Sequence, residues 1–157
     1  MRILKAEQAD LNRVSQLFYH LHCLHVTSYP AIFKPISEVE ASNILDELYS
    51  DKEAEILIAS EESNLLGYVL FRKKFRKGSS LIKERSSMFV EQIYIDPQFR
   101  RRGVARLLLL EVEMAAKTSN IRSIELDVWA SNNQALEFFR CSGYDVYNQL
   151  LSKQIAL

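Results

Sequence analysis

Residues 88–117, MFVEQIYIDPQFRRRGVARLLLLEVEMAAK, constrain the fold more than any other stretch of the chain. Residues 88–95 are dominated by β-branched and aromatic side chains and read as a strand. Asp96-Pro97 ends it, because Pro97 has no N–H for a ladder and disfavours helix at the residue before it. From Val104 onward the residues are strong helix formers, with an apolar face at Val104, Leu107, Leu108, Val112 and Ala115. The unit is therefore strand, tight basic turn, helix.

That turn has the chemistry of an anion site. The first N–H groups of a helix lack intrahelical partners, and the aligned peptide dipoles place partial positive charge beside them. A phosphate fits there. Gly103 and the small Ala105 leave the backbone open to an extended ligand, and Arg100, Arg101 and Arg102 add fork-shaped donors. The plainer alternative is a strand-to-helix corner with a solvated basic cluster. A Walker loop is excluded because no G-x-x-x-x-G-K-[ST] occurs. A dinucleotide fingerprint is excluded because two of its three glycines are missing.

Arg100-x-x-Gly103-x-Ala105 resembles the Q/R-x-x-G-x-G/A acetyl-CoA pyrophosphate motif of the GNAT superfamily of N-acetyltransferases. The lead-in Ile93-Tyr94-Ile95-Asp96-Pro97-Gln98-Phe99-Arg100 looks like the family's strand ending in V-x-P-x-x-R. Further on, Asn132-x-x-Ala135-x-x-x-Phe139-x-x-x-Gly143-Tyr144 is similar to N-x-x-A-x-x-x-Y-x-x-x-G-F. Two motifs in the right order are far more specific than either alone.

The resemblance implies an α/β (α+β) fold: a mixed, mostly antiparallel central sheet flanked by helices, with two central strands splayed apart. It implies acetyl-CoA as co-substrate, its pyrophosphate on Arg100, Arg101, Arg102, Gly103, Val104 and Ala105. Backbone groups of Ile93, Tyr94 and Ile95 would take the pantetheine arm, with Asn132, Ala135 and Phe139 also near it. Asn132 further reads as a helix cap. Phe139 departs from the family, which commonly has a tyrosine there to protonate the departing thiolate. Thiol pKa values of about 8.5 make thiolate a tolerable leaving group, so the acid's loss should slow the reaction rather than forbid it.

Strict alternation puts Phe89, Glu91, Ile93 and Ile95 on one face, so that a carboxylate lies among apolar groups and gains basicity by burial. In several family members a glutamate here is the general base. The alternative is that a bulge typical of this strand turns Glu91 to solvent or into a structural hydrogen bond. Gln92 is a weaker polar candidate for orienting substrate.

Before this unit, residues 2–6 read as a strand, 9–25 as a helix opened by Asp10, and 26–36 as a loop. Ser37-x-x-Glu40 is a capping box, and Val39, Ile44, Leu45 and Leu48 are inward candidates of the helix it starts. Strands follow at 55–59 and 65–75; after the cradle helix come a strand at 121–129, a helix at 132–141 and one or two strands within 144–155. This alternation argues for one layered α/β domain over 1–157. The basic residues of segment 72–85 read as a solvated loop. His20, His22 and His25 with Cys23 lack a matching ligand pair elsewhere, so no metal is expected; these histidines, Tyr29, Phe33 and Trp129 are candidates for shaping an acceptor site.

Twenty basic and twenty acidic residues cancel, which gives no general push toward nucleic acid or membrane. Two cysteines imply no disulfide framework, and nothing reads as a signal peptide or a membrane span. A cytoplasmic protein is the expectation. The functional expectation is an acetyl-CoA-dependent N-acetyltransferase acting on a primary amine of a small molecule or peptide by direct attack in a ternary complex. The resemblance also admits a homodimer. A non-catalytic acyl-CoA-binding or regulatory module on the same fold is the alternative, favoured by Phe139 and disfavoured by Glu91.

Overall fold

The structure, a computed structural model, describes residues 1–155. The chain packs as two compact units, Met1–Asp127 and Val128–Leu157. The first holds β1 (Arg2–Lys5), α1 (Leu11–Ser28), α2 (Glu38–Ser50), β2 (Ala54–Glu61), β3 (Asn64–Arg76), β4 (Arg85–Ile95), α3 (Val104–Thr118) and β5 (Ile124–Leu126). The five strands form one sheet in the order β1-β2-β3-β4-β5. Pairing is antiparallel from β1 through β4, and β4 to β5 is parallel.

Local signals start the helices. Asp10 Oδ2 accepts the Glu7 N–H (2.9 Å) ahead of α1. At α2 the Glu40 N–H donates to Ser37 Oγ (3.2 Å) and the Ser37 N–H to Glu40 Oε2 (2.8 Å), a complete capping box. Leu11, Val14, Leu17 and Phe18 of α1 and Ala41 and Leu45 of α2 bury against Ile56, Ile58, Tyr68, Leu70 and Tyr94 of the sheet. The alternate side chains Val69 and Phe71 point to the opposite face, where α3 packs.

Two helices turn a different face inward from the one their sequence pattern predicts. Val39 and Ile44 of α2 are exposed, and the small Ala41 takes the inner position beside Leu45. The buried stripe of α3 is Val104, Leu108, Leu109, Val112 and Ala116, so Leu109 and Ala116 replace Leu107 and Ala115. A four-leucine run fits two registers of a 3.6-residue period, and packing against the sheet selects one.

The strand expected over 121–129 shortens to Ile124–Leu126, paired with Met88–Val90 of β4. Pairing of β4 with β5 ends at Val90 and Leu126. No helix or strand forms in 144–155, where strands were expected; Leu150 and Leu151 are 96% and 88% exposed. An apolar run becomes a strand only when a neighbouring strand pairs with it, and no sheet pairing of 144–155 forms among the described residues.

The second unit contains α4 (Asn133–Cys141). Asn132 Oδ1 accepts the Ala135 N–H (3.1 Å), and Gly143 closes the helix at φ +87°. No helix among the described residues is long and apolar enough to cross a membrane.

Candidate active site

The basic turn has an open backbone. Asp96 leaves β4 with its N–H bonded to Leu66 O (3.0 Å), and its carboxylate accepts the Gln98 N–H (2.9 Å). A single 3-10 turn, Pro97–Phe99, follows. Arg101 and Gly103 then adopt φ +64° and +78°, reversing the chain into α3. Among the described residues, the backbone N–H groups of 101–106 have no backbone acceptor. A Cβ built on Gly103 would meet nothing within 4 Å. The helix dipole, the unpaired donors and the empty space converge on one spot.

The three arginines are not equivalent. Arg100 Nε donates to Ile95 O (3.1 Å), and its guanidinium lies 5.6 Å from the Tyr94 ring centroid. Arg102 pairs with Glu61 Oε2 (2.6 Å) and covers Phe99. Arg102 first, with the N-terminal ammonium, holds the Glu61 carboxyl below the usual range. Arg101 is exposed beside them. Val104 is buried and Ala105 half-buried, so these two contribute backbone to the turn's open face.

Along β4, Ile93, Tyr94 and Ile95 pair with Val69, Tyr68 and Gly67. Because pairing with β5 ends at Val90, their other edge carries no strand partner among the described residues. That is the arrangement an extended ligand needs to add to a sheet.

Glu91 does not lie where alternation put it. Leu70 pairs with Gln92 but Phe71 with Val90, so Glu91 is the extra residue of a β-bulge. The bulge breaks its register with Ile93 and Ile95, and its side chain is 28% exposed rather than buried among apolar groups. Arg72 Nη2 donates to Glu91 Oε2 (3.2 Å), and Arg72 Nε forms an ion pair with the other oxygen. Arg72 also donates from Nη1 to Asp51 Oδ2 (2.8 Å). Next to it, the fully buried Tyr68 hydroxyl donates to Gln92 Oε1 (2.8 Å). Burial pushes the Tyr68 phenol far up, which keeps it a neutral donor.

Arg72 and Tyr68 had not been singled out as site residues. Both sit on β3, some twenty residues from their partners, and only the sheet register brings them together. The basic segment likewise is more than a solvated loop. Arg76 and Arg85 both pair with the 8%-exposed Glu125 (3.4 and 3.3 Å), and Lys74 lies 3.9 Å over the Phe89 ring.

At the end of α1, His25 stacks on Phe33 (5.0 Å) and His22 meets the same ring edge-on, its Nε2–H donating to Lys34 O (2.8 Å). In the second unit Phe139 is buried, edge-on to Phe138 and Tyr144 (5.3 and 5.5 Å). Asn132 serves as the α4 cap, and Ala135 supplies the N–H it receives.

Comparison with known proteins agrees with this architecture. The model of the Acetyltransferase (GNAT) family matches residues 15–144. The chain is 33% identical over 66 residues to an uncharacterized N-acetyltransferase of Methanocaldococcus jannaschii, covering 42% of this chain and 29% of the relative. It is 30% identical over 90 residues to the catalytic subunit of the N-terminal acetyltransferase B complex of Schizosaccharomyces pombe, covering 57% and 47%. The matched stretches thus span less than half of either relative. Among solved structures, a tetramutant of the Bacillus halodurans BH1408 protein superposes with a TM-score of 0.91 at 20% identity, covering 99% and 100% of the two chains. An aminoglycoside 6'-N-acetyltransferase of Acinetobacter haemolyticus gives 0.76 at 20% identity, covering 100% and 99%. The chain belongs to the GNAT family of acetyltransferases.

Proposed function

We propose that this protein is an acetyl-CoA-dependent N-acetyltransferase whose acceptor is a primary amine of a small molecule or a peptide. The observation that carries the reading is the row of N–H groups at 101–106 without a backbone acceptor among the described residues, opening α3 next to the unpaired edge of 93–95. The residues fit a pyrophosphate: the donors are backbone, Gly103 leaves space, and Arg101 is unpaired among the ion pairs of the described residues. Acetyl-CoA would supply the acyl group as a thioester activated toward amines.

The protein's part is then mostly positioning. N–H groups of the turn hold the diphosphate, and Arg100 and Arg102 brace the turn through Ile95 and Glu61. The free edge of 93–95 aligns the pantetheine arm. Amine attack makes a C–N bond and breaks the C–S bond; Glu91, directly or through water, takes the amine's proton. Phe139 keeps a ring at the family's tyrosine position but has no proton to give, so the thiolate would leave unprotonated. The acceptor amine must arrive neutral, since an ammonium has no lone pair.

Calorimetric titration with acetyl-CoA tests this directly. The parent protein should bind, and Gly103→Glu, with its carboxylate and side chain set at the turn, should lose binding by at least 100-fold, on the order of 3 kcal/mol. A thermal melt of the variant checks that it still folds, because φ +78° is strained for any side chain. A silent titration of the parent together with no thermal stabilisation would sink the assignment. Binding without thiol release on any amine would favour the regulatory module, the reading that Phe139 supports.

A further inference from the structure

We infer that Arg72 is a positioning residue for the reaction, clamping the Glu91 carboxylate on the sheet face, and that Asp51 sets the strength of the clamp. The inference rests on the reading of Glu91 as proton acceptor. It starts from the bulge, which frees Glu91 from the alternation of β4 and lets its side chain swing toward β3. A bulged carboxylate without a partner would be mobile. Arg72 limits that freedom: its Nη2 donates to Oε2 (3.2 Å), and its Nε, without a hydrogen-bond partner among the described residues, lies in ion-pair contact with Oε1. One hydrogen bond and one ion contact from a planar group restrict the carboxylate more than a lysine's point charge does.

The guanidinium is shared. Its Nη1 donates to Asp51 Oδ2 at 2.8 Å, and Asp51 Oδ1 accepts the Glu53 N–H at 2.9 Å. The Glu53 N–H first, and then Arg72, hold the Asp51 carboxyl below its usual range. Asp51 therefore stays ionised and draws part of the guanidinium's charge away from Glu91. The result is a graded clamp. Other charges on this side are already engaged: Lys74 lies over Phe89, and Glu125, the register partner of Phe89, is taken by Arg76 and Arg85. The side chains of Arg72 and Glu91 are 25% and 28% exposed, so the pair is partly shielded and weakens as salt rises.

A carboxylate fixed by an arginine is a weaker base but a better-placed one. The clamp acts on Glu91 by charge and by orientation, and the two read out separately, in pH dependence and in rate. Removing an opposite charge raises a neighbouring carboxyl by about one to three pH units. In Arg72→Met the acid limb of kcat/KM should accordingly move up, with kcat at its plateau falling. Asp51→Asn should move the limb in the opposite direction, because the guanidinium then acts on Glu91 alone. Arg72→Lys keeps the charge without the fork, so it should restore the limb but not the plateau.

The experiment is a pH–rate profile of the parent, Arg72→Met, Arg72→Lys, Asp51→Asn and Glu91→Gln, beside a carboxyl titration of the free protein by 13C NMR with labelled glutamate. Glu91→Gln identifies the Glu91 resonance. Opposite movements of that titration in Arg72→Met and Asp51→Asn, matched by the acid limbs, are the expected result. An unmoved Glu91 titration in folded Arg72→Met overturns the inference whatever the kinetics show. A parental rate and limb in Glu91→Gln instead sinks the base reading, while the NMR shift separately reports whether Arg72 holds the carboxylate.

Discussion

Gly67 marks the closest approach of β3 to β4. A Cβ there would lie 2.5 Å from Tyr94 O and 2.6 Å from Ile95 Cδ1. Backbone cannot give way as a side-chain end can, so Gly67→Ala must push β4 away from β3 where residues 94 and 95 present their free edge. A cost of about 1–3 kcal/mol is expected, as for other overpacked sites, read as a lowered urea midpoint at unchanged slope. Acetyl-CoA binding should weaken in the same variant, since the displaced residues lead into the cradle. At this scale the sequence was partly legible. Gly103 was identifiable from the helix formers that follow it, and its φ of +78° explains why glycine stands there. Glu91 was identifiable as a polar intrusion in a strand, but not its surroundings: no residue type announces a bulge, and Arg72 lies nineteen positions away on another strand.

Among the elements, those with local punctuation were read well and those that depend on distant pairing were not. Ser37 and Glu40 define the start of α2 unaided, and Pro97 and Gly103 bracket the turn into α3. β5 and the segment 144–155 failed because strand character needs a neighbour, and their apolar patterns carry no information about whether one is supplied. The capping box offers an isolated test of an element. Ser37→Ala removes the acceptor for the Glu40 N–H and the hydroxyl that donates to Glu40 Oε2 (2.9 Å), while the backbone N–H of residue 37 still holds that carboxylate below its usual range. It should cost about 1 kcal/mol in urea unfolding, the typical worth of a serine cap. Because α2 packs with α1 through Ala41 and Leu45, the loss should appear in global unfolding rather than as fraying alone.

Across the whole molecule positive and negative charges balance at pH 7, so near neutrality pH acts on stability through particular sites rather than through net repulsion. Two kinds of site act in the same direction. Burial first, and the neighbouring His22 second, lower the His25 imidazole below its ordinary value of 6.5 as it stacks on Phe33. The unfolded chain therefore takes up this proton before the folded one does, and stability present above pH 6.5 declines as pH falls through the folded value. Asp51, Glu61 and Glu40 are held low by the Glu53 N–H, by Arg102 and by Ser37 respectively. Their contribution is complete above the ordinary carboxylate values of about 4 and disappears below them. Stability should thus fall from neutral pH in two steps, a histidine step beginning near 6.5 and a carboxylate step beginning near 4. Urea midpoints measured from pH 8 to 3 resolve the two. His25→Phe keeps an aromatic ring against Phe33 but cannot take up a proton, so it should flatten the upper step and leave the lower one intact. A parental upper step in that variant would assign the effect to another group and remove His25 from the account.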